Sequence, residues 1–263
     1  MSEVIVFTSG KGGVGKTTLT ANVGTELAKQ GYRCVMLDMD IGLRNLDVIM
    51  GVEDKIQYHM IDIVEKRCRV KQTLVKDKTY NNLFIIPSSQ RNSMYTLTKE
   101  IMYEIISELK KDFDYILLDC PAGIGQGFSN AVQYADRCIV VTTMDIAALR
   151  DAHKVLRILT HEQKRDIEVI VNKVEPELIY SGDIISVDDV KEILDCRILG
   201  IIPSSKSVVL SYNNGEHLNI YKSVAAKSVE RIAERITGSN LDMIPLKDMR
   251  SFFSRMNYKY SKV

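Results

Sequence analysis

No apolar stretch in this chain approaches the ~20 consecutive residues that cross a bilayer, so no transmembrane helix is expected. The Met-Ser-Glu start runs directly into Val4-Ile5-Val6-Phe7, which leaves no room for a signal peptide. Cysteine is sparse and unpatterned: Cys34, Cys68, Cys120, Cys138 and Cys196 are odd in number and form no C-x-x-C pair. That argues against a zinc or iron–sulfur site and for reduced thiols in a cytoplasm, most of them core filler. Excess charge is missing as well. Lys and Arg number 35 against 34 Asp and Glu, a formal net charge of +1, so any basic surface must be local and nucleic acid is not an expected partner. Neither an internal repeat nor a low-complexity linker divides the 263 residues, which points to one main domain.

What the chain does contain is Gly10-Lys11-Gly12-Gly13-Val14-Gly15-Lys16-Thr17-Thr18, directly after the apolar run Val4–Phe7. The stretch meets the phosphate-loop pattern G-x-x-x-x-G-K-[ST] in its required setting, with a strand entering and a helix leaving. Its glycines let successive backbone N–H groups turn inward as an anion nest at the positive end of a helix. Lys16 is then expected on the β- and γ-phosphates of a nucleoside triphosphate, and the Thr17 hydroxyl on Mg²⁺. Lys11 adds a second cation that an ordinary phosphate loop lacks. It either reinforces phosphate binding in its own subunit or reaches across a dimer to stabilise transition-state charge, as an arginine finger does.

Short, nearly all-apolar strand candidates alternate with helical patterns: Glu3–Thr8, Arg33–Leu37, Leu83–Pro87, Tyr115–Leu118, Cys138–Thr142, Glu168–Val171 and Ile198–Ile202. The intervening helices are expected near Thr17–Gln30, Lys99–Lys111, Gln126–Tyr134, Ile146–Thr160, Val187–Leu194 and Ile220–Thr237. Strands apolar on both faces imply an α/β fold, a doubly wound and mostly parallel sheet with helices on both sides. Its ligand belongs at the carboxyl ends of the strands. Two of those ends carry carboxylates, Leu37-Asp38-Met39-Asp40 and Leu118-Asp119. Thr17 with water-mediated contacts from Asp38 and Asp119 suffices for Mg²⁺, which keeps several waters, and Asp40 is placed to orient or deprotonate an attacking water. Gly123, Gly125 and Gly127 would let the following segment respond to the γ-phosphate, and Arg44 and Asn45 are free to meet phosphate or a partner.

Lys11, the segment Asp-Met-Asp-Ile-Gly-Leu-Arg-Asn-Leu-Asp at 38–47, Asp119-Cys120-Pro121-Ala122-Gly123-Ile124 with Gln126-Gly127-Phe128, Val141-Thr142-Thr143 and the C-terminal tail together resemble the deviant Walker A (ParA/MinD) group of ATPases. Within it, segment 38–47 and the tail are most similar to its MinD-like, division-site-selecting branch. The resemblance covers essentially the whole chain. It implies a Mg²⁺-dependent ATPase that forms a homodimer with ATP, in which Lys11 reaches the partner's nucleotide. Lys16, Thr17 and Thr18 then meet phosphate and Mg²⁺, and Asp40 lies near the attacking water. It also implies a MinC-like division inhibitor and a MinE-like or other topological factor as partners. A ParA-like DNA-segregating ATPase and a flagellar-placement ATPase are the alternatives within the same group.

The base is less decided by the residues. Asn172-Lys173-Val174-Glu175 comes close to the guanine-reading Asn-Lys-x-Asp pattern, yet an Asn at a strand end serves an adenine edge equally well. The resemblance implies adenine, with Asn172 and the Pro203 loop as contacts. After Gly238 the chain is expected to leave the 1–238 domain as a tail, 239–263, with an amphipathic helix at about 244–258. Leu246, Met249, Phe252, Phe253 and Met256 form one apolar stripe, while Lys247, Arg250 and Arg255 occupy other faces. This pattern suits a helix lying in an anionic membrane surface, here the inner face of the cell membrane, although a last helix docked on the body shows the same stripe. One such tail holds weakly, whereas two on a dimer raise avidity about 10²–10⁴-fold.

Overall fold

A computed structural model of the protein describes residues 2–40, 45–89 and 97–249. Eight strands, β1 (Glu3–Thr8), β2 (Cys34–Asp38), β3 (Val75–Lys76), β4 (Leu83–Ile86), β5 (Tyr115–Asp119), β6 (Arg137–Thr142), β7 (Asp166–Val174) and β8 (Arg197–Pro203), form one sheet in the order β3-β4-β2-β5-β1-β6-β7-β8. All neighbours pair in parallel except β3, which lies antiparallel on β4 at the edge. The seven expected strands are all present, each within a few residues of its expected bounds. Only the two-residue β3, too short to carry any period, was not foreseen.

The helices are α1 (Lys16–Lys29), α2 (Leu46–Met50), α3 (Met60–Val64), α4 (Lys99–Leu109), α5 (Gln126–Gln133), α6 (Ile146–His161), α7 (Pro176–Ser181), α8 (Val187–Leu194), α9 (Lys206–Asn214), α10 (Val224–Ile236) and α11 (Leu246–Met249). α10 begins later than expected because the Ser223 side chain caps it, accepting from the Ala226 N–H at 3.1 Å, after a separate 3₁₀ turn at Leu218–Ile220. Alternate strand residues feed two cores. Val4, Val6, Ile116, Leu118 and Val140 pack beneath α4, α5, α6 and α8, whereas Ile5, Phe7, Leu117, Ile139 and Ile170 pack beneath α1 and α10. This two-sided burial is why the strands read as unbroken apolar runs.

The register sets the site. Phe7 lies opposite Asp119, and Asp38 opposite Asp119, so the carboxyl ends of β1, β2 and β5 finish level with one another. The phosphate-loop segment leaves β1 at that same edge, in the crevice that a parallel sheet reserves for ligands. No helix of the described residues is long and apolar enough to cross a membrane.

Candidate functional site

Between β1 and α1 the chain turns through Gly13 at φ 79° and Gly15 at φ 92°, backbone that a side chain strains. A Cβ on Gly15 would sit 2.4 Å from Asn172 Nδ2, and one on Gly10 would sit 2.4 Å from the Asp151 carbonyl of α6. β7 fixes the loop from its far side. The Asn172 amide donates to the Val14 carbonyl at 2.8 Å, and the Lys173 ammonium to the Gly13 carbonyl at 2.8 Å. A register shift between Val171 and Val174, with Lys173 at φ 55°, delivers both side chains to the loop. Taking the carbonyls on one side is what an amide-lined anion nest requires.

Lys16 is buried and its ammonium lies 2.5 Å from Asp119 Oδ1, an atom that also accepts from the Thr20 hydroxyl at 3.3 Å. Asp119 Oδ2 is buried without a hydrogen-bond partner. Asp38, beside it, accepts three backbone N–H bonds: from Asp40 at 3.0 Å, Asn45 at 3.2 Å and Leu46 at 3.3 Å. Burial, and then the neighbouring Asp119 charge, push its carboxyl up to about 7 against those three bonds. Asp40 is raised too, first by burial, with the Lys16 charge opposing. Burial pushes the adjacent Cys120 thiol up to about 12, so no soft thiolate is offered here. The donors are therefore hard oxygens: the orphaned Asp119 Oδ2, Asp38 and the Thr17 hydroxyl. That set fits Mg²⁺, a small cation that takes oxygen ligands and retains water.

Beside them a cavity of about 770 Å³ brings together Gly12 to Thr18, Asp40, Asn172 and Pro203, residues the sequence placed in one site from four separate segments, whereas Gly10 and the buried Asp38 and Asp119 are not in its lining. The sequence reading reached the loop Ile202-Pro203-Ser204-Ser205 but missed the wall that α9 adds through Lys206, Val208, Val209 and Tyr212. α9 is short and leaves Val209 and Leu210 largely exposed, so it carries no core-facing period to read. Lys11 is not among the residues that line this cavity. It borders a neighbouring cleft of about 380 Å³ and pairs with Asp145 at 3.3 Å. Asp145 caps α6 by accepting from the Ala148 N–H at 3.0 Å and also accepts from the Thr143 hydroxyl at 2.5 Å; these bonds, with that of Lys11, hold its carboxyl below the usual range.

Of the expected membrane stripe, Leu246 is half-buried and Met249 buried, both packed with Met243 and Ile244 on the α6–α8 side of the body, with α11 touching α7. The first turn of the tail is thus docked rather than free, and Lys247 beside it is exposed. Arg250, Phe252, Phe253, Arg255 and Met256 lie outside the described residues, as does Arg44.

A family model described as an AAA domain matches residues 2–173. The septum site-determining protein MinD of Bacillus subtilis is 43% identical over 253 residues, covering 94% of this chain and 94% of that protein. The MinC:MinD cell division protein complex of Aquifex aeolicus aligns with a TM-score of 0.87 at 40% identity, over 93% of this chain and 99% of that one. The septum site-determining protein MinD of Pyrococcus horikoshii, complexed with Mg-ADP, aligns with a TM-score of 0.80 at 26% identity, over 90% of this chain and 97% of that one. With its phosphate loop, level carboxylates and a large cavity at the sheet's carboxyl edge, the chain belongs to the MinD family of septum site-determining ATPases, within the ParA-type P-loop group.

Proposed function

We propose that this ATPase works as a nucleotide-controlled membrane switch: ATP joins two copies, the dimer holds the inner membrane face through two tails, and hydrolysis releases it. The observation that carries the reading is Lys11. It lies half-exposed beside Asp145, at the rim rather than in the lining of its own cavity. A cation held there is positioned to serve the triphosphate of a facing copy, where it would stabilise charge developing in the transition state.

In each subunit the loop amides, Lys16, Thr17 and Thr18 would hold the phosphates, while Asn172 and Pro203 flank the base. An entering phosphate offers Lys16 a second anion, which draws the ammonium from Asp119 and frees that carboxylate. Thr17, with Asp38 and Asp119 through water, would hold Mg²⁺, whose charge offsets the β- and γ-phosphate oxygens when bound. Asp40, raised toward neutrality yet facing Lys16, is suited to orient and deprotonate water.

A MinC-like inhibitor fits as partner by analogy with the Aquifex aeolicus complex, which aligns over 93% of this chain. A MinE-like or other topological factor would complete the system. Support for the membrane step comes from the tail sequence, in which Phe252, Phe253 and Met256 continue the stripe of Leu246 and Met249 between Lys247, Arg250 and Arg255. Co-sedimentation with anionic liposomes in ATP and in ADP, beside light scattering, tests the whole reading. Dimers and pelleting only with ATP, both lost in Lys11→Ala, are expected. Equal pelleting in both nucleotides sinks the switch, and an ATP-dependent shift of DNA without pelleting returns the ParA-like alternative.

A further inference from the structure

A second concave site lies at the opposite edge of the sheet from the cavity beside the phosphate loop. α6 ends at His161, α8 ends at Leu194, β7 begins at Asp166 and β8 begins at Arg197, so all four meet at the amino ends of the strands. Between them is a cleft of about 660 Å³, and six of its lining side chains are basic: His153, Arg157, His161, Lys164, Arg165 and Arg197. Among the described residues, Asp195 is the one carboxylate in that lining. Buried Leu156 and Leu194, with half-buried Ile167, form its apolar part.

This concentration of charge is local. The chain as a whole stands at +1, and elsewhere its basic side chains meet acids: Lys29 lies 2.7 Å from Glu230, Lys71 lies 2.7 Å from Asp112, and on α6 itself Lys154 lies 3.0 Å from Asp151. In the cleft, Arg197 lies 3.3 Å from Glu168, and Lys164 donates to the Gln133 and Ala135 carbonyls at 3.2 and 2.9 Å. His153, Arg157, His161 and Arg165 make no hydrogen bond or ion pair with any described residue. Helix polarity accounts for part of the pattern, since a cation in the last turn of a helix faces unpaired carbonyls, as Lys164 does at the end of α5. Arg157 lies a turn before the end of α6. It stands four residues after His153 and four before His161, so the three share one stripe of that helix, and Arg165 joins them from the start of β7. These nitrogen donors border one space, and no protein acceptor meets them there.

We propose that this cleft is a binding site for a phosphate-bearing ligand, held by Arg157 and Arg165 with His153 and His161 as further donors. A cleft walled by one sign of charge gathers counter-ions, and a guanidinium fork matches phosphate oxygens two at a time. The apolar part of the lining would cover the uncharged body of such a molecule, and the volume admits one the size of a sugar bisphosphate. A soluble phosphate ester and the headgroup of an acidic lipid share this chemistry. The site is distinct from the phosphate loop, because no residue lines both this cleft and the 770 Å³ cavity.

The test is calorimetry on the full chain saturated with ADP, which fills the phosphate loop, titrated with fructose 1,6-bisphosphate. Replacing both arginines, Arg157→Gln with Arg165→Gln, should weaken binding by roughly tenfold or more while leaving the Kd for ADP unchanged. Arg157→Glu should abolish it. Lys154→Gln, on the same helix but outside the cleft, should bind as the parent does, which separates the site from a general loss of positive charge. The second arm is co-sedimentation of the same proteins, in ADP, with phosphatidylglycerol vesicles. Weaker pelleting of the double variant without bisphosphate binding assigns a lipid headgroup, whereas bisphosphate binding with unchanged pelleting assigns a soluble ester. A double variant that matches the parent in both arms overturns the proposal. So does a DNA shift that the double variant loses while both arms stay unchanged, because the cleft would then serve nucleic acid.

Discussion

Asn172 holds the phosphate loop and also lines the cavity, and its replacement should show whether it acts as a brace or as a reader of the base. The side chain is nearly buried, its Nδ2 bonds the Val14 carbonyl at 2.8 Å, and it packs so closely on Gly15 that a Cβ there would be 2.4 Å away. Asn172→Ala removes that donor and leaves a buried carbonyl unpaired beside a loop whose glycines are free to move. An orphaned buried acceptor costs about 1–3 kcal/mol, and since the loop must be rebuilt on binding, nucleotide affinity should fall about 5- to 150-fold. Asn172→Asp keeps the size but sets an anion against the carbonyl and near the phosphates, so its loss should exceed that of alanine. The assay is calorimetric Kd for ADP and for the 6-oxo analogue inosine diphosphate. A brace weakens both equally, because neither loss involves the base. A loss confined to ADP would refute the brace and make Asn172 a reader of the adenine amine; no loss with either ligand would refute both.

Three further outcomes follow from the same contacts. Arg137 lies 2.9 Å from Glu3, 3.1 Å from Asp166 and 3.7 Å from the buried Glu168; burial raises Glu3 and Glu168, and Arg137 is the foremost charge opposing it. Arg137→Met should cost about 2–4 kcal/mol in urea unfolding, less than a fully buried pair because Glu3 and Asp166 are partly exposed. A raised carboxyl favours the folded state below its unfolded value and loses that advantage as pH rises through the folded one. The deficit of the variant should therefore shrink on acidification as these carboxyls take up protons, and a pH-independent deficit would count against the network. Asp40→Ala should abolish phosphate release while keeping ATP affinity within a few-fold, measured by turnover beside equilibrium binding; retained turnover would remove Asp40 from the chemistry. Gly200→Ala would set a Cβ 2.4 Å from Ile232 Cγ1 of α10, an overpacking cost of about 1–3 kcal/mol that a urea midpoint reports without change in nucleotide Kd.

The part of this molecule legible in the sequence is the part where one residue type can satisfy only one environment. Strands buried on both faces admit only apolar side chains, so β1, β2, β4, β5, β6, β7 and β8 announce themselves. The loop glycines at positive φ, and the carboxylates at the ends of β2 and β5, are similarly constrained. What escaped is structure made by partners far apart in the chain. Lys11 and Asp145 stand 134 positions apart, and nothing local in either tells that they meet. His217 reads as an isolated histidine until the fold brings Thr25 and Asp77 to its two nitrogens, 192 and 140 positions away. The short helix α9 follows no core period because its buried positions are Ser207 and Ser211, while Val209 and Tyr212 are exposed and line the cavity.

The tail shows the same limit from the energetic side. An apolar stripe specifies that something must cover it, not what does. Leu246 and Met249 are covered by the body in this structure. Each large apolar side chain buried is worth about 1.5–3 kcal/mol, and a membrane must first match what docking already supplies to these two. Inserting the whole stripe therefore exchanges one burial for another at its first turn, and the net gain must come from Phe252, Phe253 and Met256 with the basic residues around them. In the proposed switch a tail so balanced would bind weakly alone, and coupling two copies through nucleotide would then control attachment.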